Sequence, residues 1–246
     1  LRRLKEEIAR VNPTCIVALG NTALQAICGV GGIGKLRGAL HIGLLYPTKV
    51  IPTYHPAAIL RQYENLPIAV MDIRKALHES KSPETRQFPR KIHIIENLDD
   101  LHTAAGVLMQ SDLITFDIET RARQITCIGL SGSKEETFVL PFWSRRAEGW
   151  NYWPSVEAEI QAVRWLQRIM ESDIPKVAHN GIYDIQYLLL YGIAVRNYLH
   201  DTMLMHHSLF PSLPKGLDFL GSVYCNERAW KRMRPRKKDV SGKKEE

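Results

Sequence analysis

The sequence predicts an α/β protein made of two units in series, each a sheet with helices on its faces. Three observations predict it. Short continuous apolar runs alternate with amphipathic stretches along most of the chain. A polar break carrying two prolines, ESKSPETRQFPR (79–90), interrupts the pattern and reads as a linker. Beyond it three strand-like runs follow one another before helices and strands alternate, which is the order of a mixed sheet.

The elements follow from local pattern. Leu1, Leu4, Ile8 and Val11 recur at the three-to-four spacing of an amphipathic helix, and Asn12-Pro13 stops it. Cys15–Leu19 is an apolar run of buried-strand type, after which Gly20-Asn21 leads into a helix from Thr22 to Cys28. Val50–Pro52 is a second strand and Leu66–Leu77 a helix. After the break come a strand at Lys91–Ile95, a helix at Leu98–Met109 and strands at Leu113–Ile118, Gln124–Ser131 and Glu136–Leu140. A loop rich in Trp and Arg, Pro141–Trp153, precedes a helix at Ser155–Glu171, a strand at Lys176–Ala178 and a helix at Ile182–Tyr191. The expected division is a first domain at 1–79, a linker at 80–90, a second domain at 91–227 and a basic disordered tail at 228–246.

Composition narrows the class. With 246 residues and 45% hydrophobic content the chain is able to bury one large or two modest cores. No apolar run has the length of a membrane span, and the opening residues lack the apolar core and cleavage site of a secretory signal, so a cytoplasmic protein without a membrane partner is expected. Cys15, Cys28, Cys127 and Cys225 are scattered, with no Cys-x-x-Cys pair to suggest zinc or a redox centre. The net charge is +7, but from Arg228 onward nine Lys or Arg stand against three acids, so +6 of it lies in the tail. A nucleic-acid partner therefore has to be argued from site chemistry.

That chemistry begins in LITFDIET (113–120). Asp117 and Glu119 stand at i and i+2 of a strand, so both carboxylates project from one face. Such close like charges are costly unless a cation sits between them, and an all-oxygen site suits magnesium or manganese. Otherwise the pair is a solvated strand end. In KVAHNGIYDIQYLL (176–189) a strand runs into His179-Asn180, and Asp184 follows on the first turn of an apolar helix. An acid there either serves the helix dipole or meets the first pair at one sheet edge. In the second case, two ions held by these carboxylates activate a water for in-line displacement at phosphorus.

Phe116-Asp117-Ile118-Glu119-Thr120 resembles the first motif of the DEDD-type 3′→5′ exonucleases, the proofreading domains of polymerase I-like DNA polymerases, and Asn180-Gly-Ile-Tyr-Asp184 resembles their second, Asn-x-x-x-Asp. The stretch His200–Tyr224 is similar to the segment that follows in those enzymes and especially in phage relatives. The resemblance implies a ribonuclease H-like mixed sheet with flanking helices and two Mg2+ or Mn2+ ions. It gives Asp117 the bridging role, Glu119 the tighter ion and the water, and Asp184 the second ion. It also implies that Asn180, Thr120 and Tyr183 bind the terminal nucleotide of a single-stranded DNA 3′ end, that Asp201 is a structural acid, and that a polymerase domain follows in a replication or repair protein. The family's third motif, a Tyr or His with an Asp four positions on, is not found, since Asp239 has no such partner and Asp218 sits in the helical Lys-Gly-Leu-Asp-Phe-Leu. With no initiating Met and a polar last stretch, the chain reads as a piece of a longer polypeptide with that motif beyond Glu246. The piece alone is expected to bind metal poorly and to hydrolyse slowly or not at all.

In the first domain, Ile51-Pro-Thr-Tyr-His55-Pro-Ala-Ala-Ile-Leu-Arg61 is a strand end running into a helix with Pro56 at its first position. His55 is either satisfied at that helix start or placed to stabilise a leaving anion. With Asn12–Gly20 and Leu36-Arg-Gly38 this wording resembles the C-terminal half of the iron–sulfur uracil-DNA glycosylases, His55 matching their uracil-site histidine. That family's water-activating Gly-Glu-x-Pro-Gly motif, uracil-reading Asn and cluster cysteines are missing here, which implies a glycosylase-like remnant. Gly29–Lys35 fits the spacing of a phosphate loop, but Leu36 replaces the Ser or Thr that binds magnesium and the glycines follow a helix. Trp143, Trp150 and Trp153 with Arg145-Arg146 either grip single-stranded DNA or pack over their own core. The rival to a nuclease is an inactive DNA-binding module of the same fold.

Overall fold

In the computed structural model the described residues are 1–85, 89–145 and 148–225. The basic tail and the centre of the linker lie outside them. The chain divides into one compact unit of Leu1–Gln87 with Leu213–Glu246 and a second of Phe88–Ser212.

The first unit opens with α1 (Arg2–Val11), β1 (Cys15–Leu19), α2 (Gly20–Cys28) and the short α3 (Ile33–Leu36), then β2 (His41–Ile42), β3 (Lys49–Thr53), α4 (Pro56–Ile59) and α5 (Leu66–Glu79). Its three-stranded sheet runs β1-β3-β2, with β3 parallel to β1 and antiparallel to β2. All five residues of β3 are buried, which explains why KVIPT shows no polar alternation. The glycine run taken from the sequence as a false phosphate loop is a helix end: Gly29 caps α2 in the left-handed conformation, and Asn21 Oδ1 accepts from Gly32 N and Ile33 N at 2.7 and 3.3 Å. The two-residue β2 and four-residue α3 carry too few residues to show periodicity, and sequence reasoning missed both.

The second unit comprises β4 (Lys91–Ile94), α6 (Leu98–Leu108), β5 (Ile114–Arg121), β6 (Gln124–Ser131), β7 (Glu136–Pro141), α7 (Val156–Met170), β8 (Lys176–Ala178), α8 (Ile182–Leu190), β9 (Tyr198–Asp201) and α9 (Thr202–Leu209). Asn97 and Ser155 start α6 and α7 by accepting from the backbone N–H three residues on, at 2.9 and 3.2 Å. The sheet order is β4-β7-β6-β5-β8-β9, and β6 alone runs against the other five strands. Ile114, Phe116 and Ile118 of β5 join one core with Leu101, Ala105 and Leu108 of α6 and Ala162, Leu166 and Ile169 of α7. Asp117 and Glu119, the alternate residues of β5, are left on the exposed face. The mixed sheet with flanking helices is the ribonuclease H-like arrangement expected from the sequence. The sequence reading lacked β9, a four-residue edge strand.

The last described helix, α10 (Leu217–Tyr224), belongs to the first unit. The sequence division had grouped it with the segment from residue 91. It packs where a buried ion pair sits: Arg37 and Asp72 are 3% and 1% exposed, and the Arg37 guanidinium donates to both Asp72 oxygens. Thr53 Oγ1 donates to the same carboxylate at 2.8 Å, and Arg37 lies 4.9 Å over the Phe219 ring of α10. Lys75 Nζ donates to the carbonyls of Gly38, Ser222 and Cys225 at 2.9, 2.8 and 2.6 Å, capping the end of α10. Gly38 has φ 70°, and a Cβ there would stand 2.5 Å from Asp72 Oδ1. The Arg-Gly pair that carried part of the glycosylase resemblance thus has a structural explanation.

Candidate active site

The site grows from the end of β5. β8 pairs with β5 only through Ile114 and Thr115, so the rest of β5 runs on without that neighbour. Into the gap comes the first turn of α8. Asp184, 4% exposed, accepts from Ile118 N with Oδ1 at 2.8 Å, and Ile118 is the residue between Asp117 and Glu119. Burial pushes the Asp184 carboxyl up to about 6, and the Asp117 charge pushes the same way against the pull of the Ile118 N–H. A helix-dipole role alone would leave such an acid exposed. This one is buried and tied to the strand carrying the other two.

On β6, Cys127 pairs in register with Glu119. Burial raises its thiol pKa, and the Glu119 and Asp117 charges add to the rise, so both acids lie close to one side chain. Among the described residues no three His, Cys, Asp or Glu side chains are gathered into a ligand cluster. The donor set nevertheless fits a hard divalent ion, being all carboxylate oxygen, with a mutual repulsion that a cation would relieve. Asp117, Glu119 and Asp184 are the residues that would hold it.

The expected substrate residues lie beside these acids. A register shift between Glu119 and Thr120 bulges β5, and Thr120 Oγ1 meets the Tyr183 hydroxyl at 2.6 Å. The Tyr183 and Tyr187 rings are 4.9 Å apart, and Tyr191 accepts from Ile125 N at 3.3 Å, so tyrosines four residues apart along α8 and at its C-terminal cap follow the β5–β6 hairpin. Their spacing was visible in the sequence, but Tyr187 and Tyr191 went unnoticed. Asn180 has φ 60°, a conformation asparagine tolerates. Asp201 holds that turn, accepting from Asn180 N at 3.0 Å, Gly181 N at 2.9 Å and the Tyr198 hydroxyl at 2.7 Å, and it caps α9 through Met203 N and Leu204 N. Burial alone would raise its pKa, but these donors outweigh burial and hold it below the ordinary value. Asp201 is structural in this chain, as the resemblance implied.

Gly181 has to be glycine for space. A Cβ there would lie 2.6 Å from the Tyr198 hydroxyl oxygen and 2.7 Å from Ala178 Cβ, and Tyr198 is pinned by Asp201. Gly181→Ala is expected to cost about 1–3 kcal/mol through overpacking, read as a lower midpoint in thermal unfolding. The β5–β6 turn is strained in another way: Ala122 and Arg123, its two central residues, have φ 49° and 63°. Asn-Gly is the usual occupant of such a turn. Replacing Ala122-Arg123 by Asn-Gly is expected to stabilise by about 1 kcal/mol in the same measurement.

His55 is exposed at the start of α4, where its Nδ1 accepts from Ala57 N at 3.1 Å, the helix-start role. Trp153 is 4% exposed and its Nε1 donates to the Pro141 carbonyl at 3.0 Å, so it is core and not a gripping residue. Trp143 is half-buried against the core and Trp150 is 45% exposed. Arg146 lies outside the described residues.

A mixed sheet that carries two acids on a central strand, tied to a third on the helix that follows the neighbouring strand β8, is the frame of a ribonuclease H-like nuclease domain. The chain belongs to the 3′-5′ exonuclease family, whose model matches residues 92–243, more than half of its length. Residues 1–79 match the model of the uracil DNA glycosylase superfamily. No curated protein matches the chain. Among solved structures, the catalytic core of RRP6 from Trypanosoma brucei is similar at 14% identity, over 58% of this chain and 39% of that one, with a TM-score of 0.44. The Nibbler EXO domain of Aedes aegypti is similar at 13% identity, over 58% and 74%, with a TM-score of 0.40. The EXD2 exonuclease domain soaked in Mg and dGMP is similar at 18% identity, over 55% and 69%, with a TM-score of 0.36. This chain spans less than half the length of the RRP6 core.

Proposed function

We propose that this chain carries a metal-dependent 3′→5′ exonuclease domain that removes nucleotides from the 3′ end of single-stranded DNA, with Asp117, Glu119 and Asp184 holding two Mg2+ or Mn2+ ions. One observation carries the reading: the buried Asp184 carboxylate is bonded to the backbone of Ile118, between Asp117 and Glu119, and feels the Asp117 charge. Sequence places Asp184 65 and 67 residues from Glu119 and Asp117, and folding with no nuclease purpose has no need to crowd them.

The ions, when bound, supply an activated water and a counter-charge for the leaving 3′ oxygen. Hydrolysis there would join a water oxygen to phosphorus as the P–O3′ bond breaks, with a proton of that water passing to the 3′ oxygen, to give a nucleoside 5′-monophosphate and a new 3′-hydroxyl. Asp184 commits Oδ1 to the Ile118 N–H, which fixes the orientation of the carboxylate. Tyr183 and Thr120, joined by their hydroxyls, and Asn180, at the turn before α8, are proposed to bind the terminal nucleotide. The parent polypeptide is proposed to act in DNA replication or repair beside a polymerase domain, supported by the similarity of His200–Tyr224 to polymerase I-like enzymes and tested by reading the gene beyond residue 246.

The direct test incubates the chain with 3′-labelled single-stranded DNA and manganese. Release of labelled mononucleotide is expected, falling at least about a thousandfold in Asp117→Ala, since losing a bridging ligand removes several kcal/mol of charge stabilisation. A chain that binds the DNA but releases nothing above the variant is the inactive module instead.

A further inference from the structure

We infer that Arg121 and Trp150 form a clamp for single-stranded DNA just upstream of the carboxylate site, the cation taking a backbone phosphate and the indole stacking a base. The inference rests on the exonuclease reading, because that reading supplies the strand.

The placement is built by three strands. Arg121 ends β5, two residues after Glu119, and Gln124 faces it across the hairpin. Next to them on β6, Thr126 Oγ1 donates to the Glu119 carbonyl at 2.9 Å, and the Thr126 carbonyl accepts from Phe142 N and Trp143 N where the chain leaves β7. Trp143 bridges to Asn151, and Ser144 N donates to the Trp150 carbonyl at 3.0 Å, which closes the loop back on itself. The loop therefore sets Trp150 at the same strand ends that carry Glu119.

Side-chain geometry then makes a platform. The Arg121 guanidinium lies 5.3 Å from the Trp150 ring centroid, and Trp143 meets that ring edge-on at 5.7 Å. Trp143 itself packs on the core, so Trp150 has a fixed backing while remaining 45% exposed. A guanidinium held over an aromatic ring loses little further freedom on meeting a phosphate, and an exposed indole stacks any base.

The backbone supplies an independent sign. Trp150 has φ 65°, a left-handed conformation that a bulky residue rarely adopts. Such strain persists where the surrounding structure enforces it, and it gathers at functional sites. Asn180, another non-glycine residue with positive φ, stands at the turn that leads into the helix carrying Asp184. A tryptophan serving only the core would be buried as Trp153 is, without this conformation.

The test measures binding of a fluorescein-labelled eight-nucleotide oligo(dT) to the chain in EDTA, so that hydrolysis plays no part. Trp150→Ala is expected to weaken binding about tenfold with an unchanged salt dependence, since it removes stacking and no charge. Arg121→Ala is expected to weaken binding and to lower the slope of log affinity against log salt by about 0.7, the value for one phosphate contact on a single strand. Trp150→Phe keeps a stacking ring should the alanine variant fail to fold. It is expected to bind within about threefold of the parent while losing part of the tryptophan quenching seen on binding. Parent-like affinity in Trp150→Ala, or an unaltered salt slope in Arg121→Ala, overturns the clamp. A chain that releases no mononucleotide yet binds through Trp150 and Arg121 overturns the nuclease reading and leaves the clamp standing.

Discussion

Asp184→Asn is expected to abolish nucleotide release and at the same time to stabilise the metal-free chain at pH 8. The two effects share one cause. The Asp184 carboxyl is pushed up to about 6 by burial and by the Asp117 charge, whereas an unfolded aspartate titrates near 3.9. A folded-state pKa above the unfolded one means that the folded protein holds the proton more tightly. The stability this group contributes is fully present below about pH 4 and is lost as pH rises through about 6. Above that the metal-free protein carries an ionised, 4% exposed carboxylate at a penalty on the order of 2–3 kcal/mol. Asparagine does not ionise, and its carbonyl is able to keep the Ile118 N–H bond. Thermal unfolding of the two proteins in EDTA should therefore coincide near pH 4 and separate by several degrees at pH 8, the variant melting higher. Magnesium should raise the melting point of the parent at pH 8 and leave the variant unmoved. Nucleotide release should drop at least about a thousandfold, the scale of several kcal/mol of lost charge stabilisation. Equal melting points at pH 8 would show that Asp184 is not under electrostatic stress, and the argument for a cation site would go with them.

Asp72→Ala should be the most damaging single change to the first unit, costing about 3–5 kcal/mol. The substitution would leave the Arg37 guanidinium, 3% exposed, with no counter-charge, and Thr53 Oγ1 without its acceptor. Hydrogen exchange of β3 and α5 amides reads this as a loss of protection. The pairing of Arg37→Met with Asp72→Leu separates charge from packing, since removing both ions spares the desolvation of each. Protection should then return to within about 1–2 kcal/mol of the parent, the remainder being the Thr53 hydroxyl. A double variant as unstable as Asp72→Ala alone would mean that volume beside Gly38 and Phe219 matters more than the unpaired charge.

Much of this was readable before folding. The alternation of LITFDIET put Asp117 and Glu119 on one face, and β5 presents them so because the odd and even residues of a strand must part company. The apolar runs at Cys15–Leu19, Gln124–Ser131 and Lys176–Ala178 are strands with those bounds, since a run too short for a helix and rich in branched residues has few other folded options. What escaped is equally physical. β9 has four residues, and its role lies in Asp201, whose five hydrogen bonds reach residues on both sides of it in the chain. Nothing local in His-Asp-Thr announces that hub. Trp143, Trp150 and Trp153 look alike as letters, yet one is half-buried, one exposed and one core.

Sequence by itself determined the α/β class, the strand that carries the paired acids and the helix that carries the third, because these depend on side-chain periodicity over a few neighbouring residues. Tertiary structure alone decided that Asp184 reaches the Ile118 N–H, that Arg37 finds Asp72, and that α10 packs in the first unit rather than with the segment before it. Those are meetings between groups 35 to 150 residues apart, as the 66-residue span from Ile118 to Asp184 and the 150-residue span from Lys75 to Cys225 illustrate. Their energy comes from burial and charge in a shared interior, and a linear pattern carries no record of which distant partner a buried group will be given.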